Sequence, residues 1–321
     1  VANTGKGTTS ISSSTVASVG DGVRYYNSTI GETAGQSSDD ATASVDGKIY
    51  PTLSAAIDAA GDGDTVTLLA NVTESVTIDA GETIVLDLNG HTLTNTEGSH
   101  TITNNGELTV QDTSAGRTGT VDNVTHARGA LVNYGTATLE AGIFTRSAEA
   151  GSSPSNNGGN SWYVIDNHGT MTIDGATVTS DGKYSSLIRN IREKEGETGD
   201  LTVSRGNLSN GFIALKNDTN GTMKITGGTI TSEDQAVQNW SKATISGGEL
   251  TGKVYSWSAG IAPNNDTGNL TISGRAKING EVAAIQYQYT DKGGQTITPD
   301  KAATVTITGG TVLGNHRRKR F

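Results

Sequence analysis

The chain has 321 residues, 33% of them hydrophobic and 5% aromatic, with 43 Gly, 4 Pro and no Cys. With 17% charged residues it lacks the highly charged signature of full disorder, and without Cys neither a disulfide framework nor a thiolate metal centre can form. A net charge of −10 argues against nucleic acid or an anionic membrane as the main partner, and against a polyanionic ligand unless a local basic cleft exists.

Residues 1–43 are Ser/Thr/Gly-rich and read as a linker or loosely attached segment, with a strand conceivable at 22–30. They contain no signal peptide, so an export signal is expected to have been removed or never included. Next, "KIYPTLSAAIDAAGDGDTVTLL" spaces Leu53, Ala56, Ile57 and Ala60 at i, i+3, i+4 and i+7. That spacing predicts an amphipathic helix over about 52–60, capped by Thr52 and stopped at Gly61. No apolar run approaches the ~20 residues of a membrane span, so no membrane insertion is expected.

From residue 104 onward one short pattern recurs. It reads "NNGELTV", "NYGTATL", "NHGTMTI", "ETGDLTV", "TNGTMKI", "NWSKATI", "DTGNLTI" and "KAATVTI". The third slot is Gly in six of the eight, the sixth is Thr in seven, and the last is always Val, Leu or Ile. Because strand side chains alternate between faces, the fifth and seventh slots are expected to face inward and the Thr outward. A second strand precedes each copy, as in "LVN", "VIDN", "LIRN" and "GIAPN", usually ending in Asn. This Asn is expected at a turn, in left-handed backbone, with its amide paired to the copy in the next repeat. The apolar markers Ile102, Val132, Ile165, Ile188, Leu215, Val237, Ile261 and Ile285 lie 22 to 33 residues apart. Each period holds three strands and three turns, the content of one coil of a parallel β-helix. The expected fold is therefore all-β: a right-handed parallel β-helix over 44–315, with the amphipathic helix as its N-terminal lid. The basic residues 316–321 follow as a tail with no capping element, and the natural protein is expected to continue.

The phrases "YPTLSAAIDAAGDGDTVTLLANV" and "LDLNGHTLT" resemble the N-terminal cap of pectate-lyase-like β-helix proteins, as found in large surface proteins of Gram-positive gut bacteria. The resemblance covers about residues 45–315 and implies a secreted or surface-attached bacterial protein. That fold hosts many activities, so chemistry must be argued from particular residues.

His168, in "NHGTMTI", falls in a slot filled elsewhere by Asn105, Tyr134, Asn220 and Trp240. It reads as a variable, outward-leaning turn position rather than a catalytic group. Polygalacturonases, which the pectate-lyase-like superfamily includes, carry further carboxylate and basic motifs, and only Asn167-His168-Gly169 is similar to them here. No set of carboxylates around His168 can be gathered from the sequence. The charged stretch 189–200 reads as a solvated loop. No catalytic residue, metal site or cofactor is expected. If the chain is an enzyme, a glycoside hydrolase or polysaccharide lyase, the carboxylates to examine are Asp166, Glu193, Asp200, Asp218 and Asp266. The ligand-binding candidates are aromatic: Tyr134, Trp162, Tyr163, Trp240, Tyr255, Trp257, Tyr287 and Tyr289. Exposed rings amid Thr and Asn suit sugar stacking. The leading expectation is a non-enzymatic adhesin or stalk contacting host glycans or extracellular proteins; the others are a carbohydrate-active enzyme and a self-assembling filament or tail spike.

Overall fold

The computed structural model describes residues 41–149, 162–180, 186–259, 267–290, 293–314 and 316–320. The strand expected at 22–30 lies outside them. The first described strand, Ala43–Val45, pairs antiparallel with Lys48–Tyr50 and Thr65–Leu68. Ala43, at the end of the expected linker, is fully buried.

The predicted helix forms over Leu53–Ala59 and buries Leu53, Ala56 and Ile57. Thr52 Oγ1 accepts the Ala55 N–H at 3.1 Å. The Glu74 carboxylate accepts the Leu53 and Ser54 N–H groups at 2.9 and 3.0 Å. Together they satisfy donors that a helix start leaves without partners. The helix stops at Ala60, in extended backbone, one residue before Gly61. It packs against Ala43–Val45 and Val76–Ile78, at the N-terminal end of the ladders.

Beyond the helix the regular structure of the described chain is β apart from a short 3-10 turn at Ser147–Glu149, and its strands pair mainly in parallel with strands one repeat away. Each repeat contributes to three ladders, the pairing expected of a β-solenoid. The first ladder runs through Val76–Ile78, Ile102–Asn104, Leu131–Asn133, Tyr163–Asn167 and Ser186–Asn190. It continues in the C-terminal parts of Asp200–Asn217, Thr229–Asn239 and Glu249–Ala259, then Val282–Tyr287 and His316–Arg320. The second carries the Thr pattern, from Thr65–Leu68 to Thr304–Ile307. The third runs from Val72–Thr73 to Thr311–Val312.

The inward slots behave as the alternation predicts. Leu108 and Val110, Ala137 and Leu139, Met171 and Ile173 are buried, as are their equivalents through Leu270 and Ile272. One apolar cluster extends from Ala43 to Val282. The outward Thr109, Thr138, Thr172 and Thr202 align in register.

Two details differ from the sequence reading. Leu131, not Val132, aligns with Ile102 and Ile165. The coil assigned to "GIAPN" instead places Val254 opposite Val237; residues 260–264 lie outside the described ones. Irregularities in register within the long strands, such as that between Gln235 and Val237, displace the count.

The Asn corner forms a buried ladder. Asn104, Asn133, Asn167, Asn190 and Asn217 each pass a side-chain N–H to the side-chain oxygen of the next Asn at 2.7–2.8 Å, and Asn239 passes its own to Ser256 Oγ at 3.2 Å. None of these Asn has positive φ, contrary to expectation. Each ends a strand in ordinary backbone, and the amide stack fixes the corner. The Gly one turn later is needed for closeness: a Cβ on Gly135 would stand 2.0 Å from the Gly106 carbonyl oxygen.

Candidate ligand-binding face

The residue immediately before each corner Asn points away from the apolar interior. Register aligns Thr77, Thr103, Val132, Asp166, Arg189, Lys216, Gln238 and Tyr255 in one row along the first ladder. Neighbouring strands lie ~4.8 Å apart, so each coil adds one side chain per step, polar or aromatic at every position but Val132.

An ion cluster occupies the middle of this face. Arg189 grips Asp166 with two hydrogen bonds, Nε to Oδ1 and Nη2 to Oδ2, each 2.7 Å. Its Nη1 lies 3.5 Å from Glu193. His168 Nε2 is 3.5 Å from Asp166 Oδ2, and Nδ1 is 3.2 Å from Glu197 Oε1. The imidazole is 6% exposed, Asp166 2% and Glu197 10%. His168 is thus not outward-leaning. The Tyr134 ring of the preceding coil stacks on it at 4.9 Å, and Glu197 reaches in from the loop after Ile191. Two carboxylates therefore do gather around His168. Arg192, Glu193, Lys194 and Glu195 of that loop are exposed, as read from sequence, but Arg189 and Glu197 turn inward.

Charge states follow from this packing. Burial pushes the His168 imidazole down, yet hydrogen bonding to Asp166 and the charges of Asp166 and Glu197 outweigh it, so its pKa is raised. Burial pushes Asp166 up, but His168 and Arg189 win and the carboxyl is depressed. Glu197 is depressed as well: the Glu193 and Lys194 amides and His168 overcome its burial. Beside this cluster Lys216 Nζ bonds Asp218 at 2.7 Å and meets the Tyr163 hydroxyl at 3.4 Å. The Arg189 guanidinium lies 5.1 Å from the Tyr163 ring and 5.9 Å from Trp162.

The aromatic candidates divide into two groups. Tyr134, Trp162 and Tyr163 surround the ion cluster. Two coils on, Trp240 stacks on Trp257 at 5.3 Å and 23°, and the edges of Tyr255 and Tyr287 meet Trp257 at 5.9 and 6.2 Å. Gln238 Oε1 accepts the Trp240 indole N–H and Gln235 Oε1 that of Trp257, both at 3.1 Å. Tyr255 donates to Glu281 at 2.8 Å. Tyr134 and Tyr287 are 46% and 38% exposed, whereas Tyr163 and Tyr255 are buried and support their neighbours. Tyr289 lies in a separate two-stranded hairpin with Thr296–Ile297.

Of the carboxylates named from sequence, Asp166 and Glu193 meet at Arg189, and Asp218 adjoins them through Lys216. Asp200 sits around the corner on the second ladder, exposed. Asp266 lies outside the described residues. Arg189, Glu197, Lys216, Gln235 and Gln238 were not singled out from sequence. Six of the row directly precede a corner Asn, in "ITN", "LVN", "VIDN", "LIRN", "ALKN" and "AVQN"; that offset would have found Arg189, Lys216 and Gln238, whereas Glu197 and Gln235 lie outside it. No family model, curated protein or solved structure matches the chain.

Proposed function

We propose that the chain is a right-handed parallel β-helix of a secreted or surface-attached bacterial protein, and that the outer face of its first ladder binds glycan without cleaving it. The Trp240–Trp257 pair carries this reading. Sugar rings offer flat C–H faces to indoles and hydroxyls to adjacent amides. Here both indole N–H groups are already tied to Gln238 and Gln235. The rings are thereby fixed in advance, and little side-chain entropy remains to be lost on binding.

The resemblance of the cap to Gram-positive surface proteins supports the location. Among the described residues, no helix is long and apolar enough to cross a membrane. The burial of His168, Asp166 and Glu197 supports a binding role over catalysis, because a general acid must reach a substrate oxygen, and these groups are turned toward one another.

A second reading, a glycoside hydrolase or lyase, rests on the two carboxylates within 3.5 Å of one imidazole. A glycan array read for retained binding and for altered product masses separates the two. Binding with unchanged masses is expected; cleavage of any glycan overturns the binding-only reading.

A further inference from the structure

We propose that a cleft at the N-terminal end of the same face receives an anionic substituent, sulfate or carboxylate, of the bound glycan; this rests on the glycan reading above. The cleft has a volume of about 530 Å³ and is lined by Ser75, Thr77, Ser99, His100, Thr103 and Arg128, with Val76 and Gly98. In a chain with 33 acidic and 23 basic residues, this lining includes a guanidinium, an imidazole and four hydroxyls but no carboxylate.

The donors are held in place. Arg128 Nε bonds the Gly98 carbonyl at 2.8 Å and Nη1 the Ala127 carbonyl at 2.9 Å. Those two contacts fix the plane of the fork and leave its other N–H groups to meet an oxyanion. Ala127 reaches this geometry with φ of 58°, a left-handed conformation uncommon for a residue with a side chain. His100 Nδ1 accepts the Gly129 N–H at 2.9 Å, which leaves the proton on Nε2 as a further donor. Glu74, the neighbour of Ser75, is committed to the start of the helix.

The cleft also connects to the rest of the face. Thr77 and Thr103 begin the row that leads to Asp166, Arg189 and Gln238. The His100 ring lies 6.3 Å from Trp162. A sugar against Trp162 would place a charged substituent within reach of Arg128.

The test is isothermal titration with three oligosaccharides. One is of keratan-sulfate type, with sulfate and no carboxylate; one is hyaluronan, with carboxylate and no sulfate; and unsulfated N-acetyllactosamine has neither. At least one charged oligosaccharide should bind ~10-fold tighter than the neutral one, and added salt should shrink the difference. Which of the two gains identifies the anion. Arg128→Gln should abolish the preference. Thr77→Glu should do the same from an exposed position, without removing the hydrogen bonds that Arg128 makes to the backbone. Trp240→Ala should weaken all three by a common factor. Equal binding of all three, or a charge preference that survives in both folded variants, overturns the cleft assignment. Failure of both charged ligands to bind overturns it too, while the glycan reading is judged separately on the neutral ligand and the array.

Discussion

At the residue scale, the Asn corner shows how one side chain serves two coils. Asn167 accepts from Asn133 and donates to Asn190, both at 2.7 Å and fully buried. Removing it leaves a buried donor and a buried acceptor short of a partner, at ~1–3 kcal/mol each. Asn167→Ala should therefore cost ~2–6 kcal/mol in urea unfolding, whereas exposed Asn105→Ala should change stability by less than ~0.5 kcal/mol. Equal effects of the two would contradict the ladder.

His168 makes a signed prediction. Its folded pKa lies above the ordinary 6.5, so its stabilisation is fully present below about pH 6.5 and is lost as pH rises through the folded value. Asp166 and Glu197 are depressed, so theirs is present above the ordinary carboxylate range and lost as pH falls through the depressed values. The cluster is strongest between those limits. The stability gap between wild type and His168→Gln should narrow as pH rises above about 6.5; a gap constant with pH would refute the ion pairing. The burial of His168 was not legible in sequence, because Tyr134 and Glu197, which enclose it, belong to other parts of the repeat.

At the scale of elements, local pattern carried far. The period-two alternation identified the buried strand positions, because each inward side chain meets only its equivalents and the shared interior. The i, i+3, i+4, i+7 spacing gave the helix to within a residue at each end. What it missed was Glu74, whose part in capping Leu53–Ala59 comes from a later strand and leaves no local mark. Register was less legible than strand identity, since bulges such as the one before Val237 add residues without adding a coil.

The Gly corner is a strict constraint of packing. Gly135→Ala would place a methyl 2.0 Å from the Gly106 oxygen, and since backbone on both sides is held by ladder bonds, relief requires moving a coil. We expect a loss of about 3 kcal/mol or more. Gly98→Ala is the comparison: nothing lies within 4 Å of its added Cβ, though φ is +87°, so only the backbone strain of ~1–3 kcal/mol applies. Thermal unfolding ranks the two, and a milder effect at Gly135 would contradict the close approach.

For the whole molecule, the repeat turns sequence neighbours into a surface. Successive coils each deliver one residue to the same outer row, and from Thr103 to Gln238 it is the residue before the corner Asn. Asp166, Arg189 and Lys216 thereby come together although no local motif joins them. The repeat was visible, but its function-bearing offset was not, because the varying row carries no common residue type. The aromatic residues were named from sequence as one group of binding candidates. Their division into a set around His168 and a set around Trp257 depends on which coils adjoin, and so on register.

The central claim is that the Trp240–Trp257 pair on the first-ladder face binds sugar. The most direct measurement is isothermal titration of wild type and Trp240→Ala with the strongest glycan from the array, with unfolding curves for both proteins. A loss of ~10-fold or more in affinity, 1.4 kcal/mol or more, in a variant that remains folded is the predicted result. Unchanged affinity in the folded variant would contradict it and move the binding face away from this ladder.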